Sequence, residues 1–233
     1  MEQKEMIDLL RQVASGTMDV EQAALKLKEE PFEDLGFAKI DHHRAMRQGV
    51  AEVIYGEGKT PEQIFRIAEA MKEKGQKAVL ITRMNKESAI YVGERLELQY
   101  DEVSRIGFIG EAPIKDGDGK IVVATGGTSD IPVAEEAART AETLGNEVVR
   151  LYDVGVAGVH RLLGHLDELM EARVIIAVAG MEGALASVIG GLVDCPVIAV
   201  PTSVGLWSIF RWRISTSFYA EFLCKRSECC KYR

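Results

Sequence analysis

The chain lacks any apolar run approaching the roughly 18 residues that a membrane-spanning helix needs, and no span is expected. Its start, MEQKEMIDLLRQ, is charged and amphipathic, unlike the apolar core of a secretory signal. Basic charge is in deficit: 28 Lys and Arg stand against 36 Asp and Glu, a net charge of -8. That removes the positive footprint on which nucleic-acid binding depends, so an anionic ligand must be held by local groups. Cysteine is scarce and poorly distributed. Cys195 stands alone in an apolar segment, while Cys224, Cys229 and Cys230 crowd the end of the chain. This spacing supports neither a disulfide framework nor a metal site. The expectation is a cytoplasmic, globular protein with no nucleic-acid or membrane partner. A hydrophobic content of 47% over 233 residues suffices for one large or two small cores.

What is present is organised around residues 121–144, IVVATGGTSDIPVAEEAARTAETL. A short apolar run enters TGGTSD, and after Pro132 the apolar positions Val133, Ala134, Ala137, Ala138, Ala141 and Leu144 recur at helical spacing. Strand, polar turn and helix follow one another. Gly126 and Gly127 allow close backbone approach, Ser129 or Asp130 can cap the helix, and Pro132 suits its first turn. Amides freed at a helix start attract anions. A well-capped turn without a ligand would have the same residues, because neither the Walker nor the GxGxxG spacing is present.

Upstream, residues 4–30 carry two short helical patterns separated by Ser15-Gly16-Thr17, the mark of a helical hairpin. The next stretch concentrates Asp41, His42, His43, Arg44, Arg47, Glu52, Glu57 and Lys59 among few apolar residues. It is either a solvated face or a place where Arg44, Arg47 and Lys59 hold phosphates or carboxylates. Adjacent histidines diverge in direction, which disfavours a metal site. Residues 50–54, 60–75 and 77–84 read as strand, helix and strand, with Thr60 as N-cap and Gly75 as terminator. APIKDGDGK reads as a linker, placing a boundary at 118/119.

From residue 121 the rhythm is regular: strands at 121–125, 147–152, 173–179 and 196–200 alternate with helices at 131–144, 158–170 and 181–192. This predicts an α/β fold with a parallel sheet covered by helices on both faces. Ligands bind such sheets beyond the carboxyl ends of the strands. Those ends are TGGTSD, YDVGVAGVHR, AGMEG and PTSVG, all rich in Gly and in small or polar groups. His160, beside Arg161 at a helix start, is placed to move a proton near neutral pH. Glu182 is either a charge complementing a helix dipole or a carboxylate facing the ligand.

GGTSDIPVAEEAA, VAGVHRLL, AVAGMEGALASVIGGL and CPVIAVPTSVG resemble the carboxylase domain shared by the aminoimidazole ribonucleotide carboxylase/mutase family (PurE) and by LarB. LarB is the carboxylase/hydrolase of nickel-pincer nucleotide cofactor synthesis. LGFAKIDHHRAMRQGVAEVIYGEGKTPEQI is similar to a region found in LarB and absent from the purine enzyme. The resemblance implies a flavodoxin-like, PurE-like domain over 119–205, preceded by a small α/β domain over 1–118. It also implies carboxylation of nicotinic acid adenine dinucleotide at pyridinium C5, with carbon dioxide or bicarbonate as co-substrate. Phosphoanhydride cleavage then gives pyridinium-3,5-biscarboxylic acid mononucleotide and AMP.

By motif, Ser129 and Asp130 resemble phosphate and ribose contacts, and His160 matches the proton-transfer histidine; Glu182 is a second catalytic candidate. Gly126, Gly127, Thr128, Gly158, Arg161, Gly180, Met181, Gly183, Pro201, Thr202 and Ser203 complete the expected substrate rim. Asp41, Arg44, Arg47 and Lys59 are the expected contribution of the first domain. No cofactor is required, Mg2+ on the diphosphate is compatible with the chemistry, and a homo-oligomer is expected.

After Gly205 the resemblance stops. LWSIFRWRISTSFYAEFLCKRSECCKYR has no glycine, where the family continues with a Gly/Ala-rich helix and a Ser-Cys-Ala segment bearing a nucleophilic cysteine. Synonymous codons for residues 221–231, read one base later, spell Asn-Ser-Cys-Ala-Asn-Gly-Val-Ser-Val-Val. Residues 206–233 are therefore expected to be a frameshifted tail that costs this copy its nucleophile. Sequencing the gene over these codons tests that expectation, and other codons would end it.

Overall fold

The computed structural model describes residues 3–27, 32–45, 49–111, 114–180 and 183–202. They form two compact units that divide at Ala112/Pro113. Among the described residues no helix is long and apolar enough to cross a membrane.

The first unit opens with helices α1 (Gln3–Ala14) and α2 (Val20–Leu27), followed by an antiparallel ribbon of β1 (Phe32–Asp34) and β2 (Lys39–Asp41). Next come β3 (Ile54–Tyr55), α3 (Pro61–Glu73), β4 (Ala78–Thr82), α4 (Lys86–Gly93), β5 (Leu98–Asp101) and β6 (Ile106–Gly110). The sheet order is β3-β4-β6-β5, with only the first pair parallel. Helix α3 starts where expected because Thr60 and Gln63 cap each other reciprocally. Gly75, at φ 84°, ends the turn that follows it. Ile64, Met71, Val79, Ile81 and Ile109 form the core, and Ile40 of the ribbon is buried with them.

The second unit runs β7 (Lys120–Thr125), α5 (Ile131–Thr143), β8 (Glu147–Leu151), α6 (Val159–Leu163), α7 (Leu166–Met170), β9 (Ala172–Ala179), α8 (Ala184–Leu192) and β10 (Val197–Pro201). The strands lie in the order β8-β7-β9-β10, all parallel. Successive strand side chains point to opposite faces, so Val122 and Ala124 pack with Leu162, Leu169, Leu185 and Ile189. Val123 packs the other way, onto Ala134 and Ala138. The expected sheet with helices on both faces, flavodoxin-like and PurE-like in strand order, is what the chain forms. Because the connections leave β7 and β9 on opposite faces, the carboxyl ends of that pair are the topological switch point where ligands bind in such sheets.

Three local expectations change. The helix expected over 158–170 breaks at Gly164 into α6 and α7. The strand expected at 50–54 pairs only through Ile54 and Tyr55. The stretch read as a linker packs onto the second unit. There the Gly117 N–H donates to the Gly145 carbonyl at 3.1 Å, and a Cβ on Gly117 would meet the Asn146 amide oxygen at 2.6 Å.

Candidate functional site

The loops after the four parallel strands are tied into one rim. At the end of β7, buried Thr125 accepts the Asp153 N–H on its hydroxyl and the Val154 N–H on its carbonyl, both at 2.9 Å. This fastens the loop after β8 to the loop after β7. Gly126 donates to the Val178 carbonyl of β9 at 2.9 Å, and Thr202 donates to Ala179 at 3.1 Å, which brings in the ends of β9 and β10. The backbones approach so closely that a Cβ on Gly155 would stand 2.3 Å from the Gly126 carbonyl oxygen. A Cβ on Gly126 would stand 3.2 Å from that of Ala179. Glycine at 155 is a packing requirement here, and at 126 a Cβ would press on Ala179.

Asp130 is the clamp of this rim. It is 4% exposed, accepting the Gly127 N–H at 3.0 Å on one carboxylate oxygen and the Thr202 hydroxyl at 2.6 Å on the other. It therefore reaches backward to the amide that opens the 3-10 turn Thr128–Asp130 and makes no side-chain cap on α5. Asp130 and Thr202 were expected to contact ligand, and their described partners lie within the protein. These bonds hold the TGGTSD turn in shape. Thr128 and Ser129, at the crest of that turn, are exposed and can face a ligand.

On the β8 side, Gly158 precedes α6, and His160 and Arg161 lie on that helix, both exposed. The Arg161 guanidinium donates from Nη1 to Asp153 at 2.5 Å. Its Nε lies so near Gly158 that a Cβ there would come within 2.8 Å of it. Gly180 and Gly183 are half-buried and joined by the Gly183 N–H to the Gly180 carbonyl at 3.0 Å; Pro201 is exposed at the end of β10. The expected residues Met181, Glu182, Ser203 and Arg47 lie outside the described residues, as does the tail with Cys224.

The remaining expected binders belong to the first unit and have their own local partners. The Asp41 N–H donates to the Glu52 carboxylate, and the Asp41 carboxylate accepts the His43 N–H at 3.1 Å, closing a turn in which half-buried Arg44 follows. His42 pairs with Glu33 at 3.1 Å. The Lys59 ammonium donates to the Tyr55 carbonyl at 2.8 Å. Beside it, Glu57 accepts from the Tyr55 hydroxyl at 2.6 Å and from Arg83 at 3.2 Å. The Tyr55 and Arg83 hydrogen bonds hold the Glu57 carboxyl below the usual range.

Cys195 sits before β10, at the amino end of the strand, and packs against the core. Burial pushes its thiol up, the opposite of what a nucleophile needs. Among the described residues no group of three or more His, Cys, Asp or Glu is arranged to hold a metal ion.

The sequence reading missed Thr125, Asp153 and Gly155. A hydroxyl residue closing a buried strand and an aspartate just past the next one were the available signals. Their partnership spans 28 residues and is visible only in the fold.

With that geometry in view, the relatives become informative. Residues 32–111 match the LarB/PurE-like N-terminal domain family, and residues 120–211 match the AIR carboxylase family. An uncharacterized protein of Methanocaldococcus jannaschii is 37% identical over 209 residues, covering 86% of this chain and 82% of the relative. The first match lies within the first compact unit, and the second contains the whole parallel sheet and its rim. The chain belongs to the LarB/PurE-like carboxylase family.

Proposed function

We propose that the rim binds nicotinic acid adenine dinucleotide, and that the activity is carboxylation at pyridinium C5 with cleavage of the phosphoanhydride. The observation carrying this reading is the covalent pairing of a LarB-type first domain with an AIR-carboxylase-type second domain. The pairing joins carbon dioxide handling to a nucleotide substrate. The overall change consumes dinucleotide, carbon dioxide and water, and releases the biscarboxylated mononucleotide, AMP and, with both phosphate monoesters as dianions, three protons.

A pyridinium ring is electron-poor and must accept a nucleophile before C5 can attack. In the proposed cycle a thiolate adds to the ring, and C5 then forms a bond to the carbon of carbon dioxide; a copy whose tail is frameshifted lacks that thiolate and should bind the dinucleotide without turning it over. His160 takes the C5 proton, and expulsion of the thiolate restores aromaticity. Sulfur suits this role because its addition is reversible. Cys195 is excluded from it by position and burial. The described residues offer no carboxylate or imidazole cluster for a resident Mg2+, so no step is assigned to one.

A second reading, carboxylation of aminoimidazole ribonucleotide, draws on the AIR carboxylase match itself. That substrate is already an enamine and needs no thiol. Incubating the purified chain with nicotinic acid adenine dinucleotide and labelled bicarbonate separates the possibilities. AMP and a labelled biscarboxylated mononucleotide support the leading reading. Turnover of aminoimidazole ribonucleotide alone replaces it with the second. Dinucleotide binding without turnover marks either a copy that lost its nucleophile with its tail or a nucleotide-binding module that retains the rim, and restoring the tail in the other reading frame separates the two.

A further inference from the structure

Asp153 has a conformation that its residue type does not favour. Its φ is 58°, and the other described non-glycine residues with positive φ are Arg83 and Arg105. Left-handed backbone is costly for a side chain with a Cβ, although Asn and Asp tolerate it best. Such strain persists only where the surroundings impose it. Here they do. Buried Thr125 holds the Asp153 amide from the end of β7 at 2.9 Å, and the next residue, Val154, is bonded to the Thr125 carbonyl. So constrained, Asp153 meets Arg161, eight positions on, at 2.5 Å. Gly158 leaves the space that Nε of Arg161 uses, since a Cβ there would come within 2.8 Å.

We infer that Asp153 is a positioning residue for anion recognition: it holds one arm of the Arg161 fork at the switch-point rim, so that the remaining donors are presented to a substrate phosphate. The inference rests on the nucleotide-binding reading above and adds to it the residue that orients Arg161 at the rim. Physically, a guanidinium carries five donors in a fixed plane. Fixing Nη1 on a carboxylate removes the rotational freedom that binding would otherwise have to quench, and leaves the other guanidinium donors for a phosphate. Thr125 and Gly158 act through this pair and need not touch the ligand.

The test compares nicotinic acid mononucleotide with nicotinic acid riboside, which lacks the phosphate, by calorimetric titration of the full chain. The wild type should favour the mononucleotide by at least about tenfold, the scale of one good charge-assisted contact. Asp153→Asn keeps the left-handed turn and the Thr125 bond but removes the charge. It should reduce that ratio to within about threefold of Arg161→Ala, with the riboside affinity unchanged and the melting temperature held. Gly158→Ala, which displaces Arg161 from the other side, should lower the same ratio. Asp153→Gly relieves the backbone strain, so it should melt no lower than wild type and still lose the ratio.

A structural role alone predicts loss of melting temperature or of both affinities together, with the ratio intact. A ratio unchanged or increased in Asp153→Asn overturns the inference while leaving the nucleotide reading standing. A wild type that binds neither compound overturns both.

Discussion

The charged stretch at 41–59 and the rim of the parallel sheet carry similar inventories, with glycine turns, cations and carboxylates in both, yet the fold uses them differently. In the first unit, Asp41 pairs with its own turn, Lys59 caps the Tyr55 carbonyl, and Glu57 joins Tyr55 and Arg83. These contacts are local or confined to one corner. In the second unit, bonds run between the ends of different strands, from Thr125 to Asp153, Gly126 to Val178 and Asp130 to Thr202. The difference follows from topology. Four parallel strands deliver all their carboxyl ends to one edge, whereas in the first sheet β6 runs antiparallel to both of its neighbours and sends consecutive ends to opposite edges. Density of charge along a chain is therefore a weaker sign of a site than convergence of strand ends.

The contrast can be broken most severely at glycine. Gly155→Ala puts a Cβ 2.3 Å from the Gly126 carbonyl oxygen, which forces two rim loops apart at a cost of about 3 kcal/mol. The partner comparison is Gly58→Ala, at φ 79° with nothing within 4 Å, which should cost about 1 kcal/mol of backbone strain. Urea titration measures both. Equal losses would mean that the rim is no more tightly coupled than the first unit's turn.

A smaller effect is expected from Asp130→Ala, which strands the Thr202 hydroxyl and the Gly127 amide in a buried setting, at about 2 kcal/mol. Nucleotide affinity should fall in parallel, because the TGGTSD turn loses its clamp. Unchanged stability would show that solvent replaces the carboxylate without cost.

The smallest expected effect is a pH dependence at the edge of the same sheet. Arg150 of β8 donates to Glu135 and Glu142 of α5, at 2.6 to 3.3 Å, and Tyr152 donates to Glu135 at 2.7 Å. The Arg150 hydrogen bond holds the Glu142 carboxyl below its ordinary 4.5. Burial first, then the bond to Glu135, pushes the Tyr152 phenol up. A carboxyl depressed in the folded state adds stability above its ordinary range and loses it as pH falls through the folded value. Arg150→Met should therefore lower the neutral plateau by the same amount by which it flattens the acid limb of stability below about pH 4.5. Identical acid limbs would remove Glu142 from the account.

Much of the second unit was readable from residue order because its information is local. Periods of two and of about 3.6 residues, glycine at turns and Pro132 at a helix start marked β7, α5, β8, β9, α8 and β10 to within a few residues. The same rules placed α3, since the Thr60–Gln63 capping box is built from residues three apart. They gave no warning of α4, a short helix capped by Asn85, or of β5 and β6, whose short apolar runs become strands through antiparallel pairing with one another and, for β6, with β4. Nor did they show that the supposed linker packs beside Asn146.

At the rim, the order of residues determined which strands end in glycine and hydroxyl groups, and hence which edge to read as the candidate site. Only the tertiary structure decided that Asp130 turns inward to Thr202, that Asp153 is bent into a left-handed turn by Thr125, and that Cys195 lies at the wrong end of its strand. The reason is separation along the chain. A hydrogen bond between residues 28 or 72 positions apart leaves no periodic trace in either partner, and exists only once the sheet has brought the strand ends together.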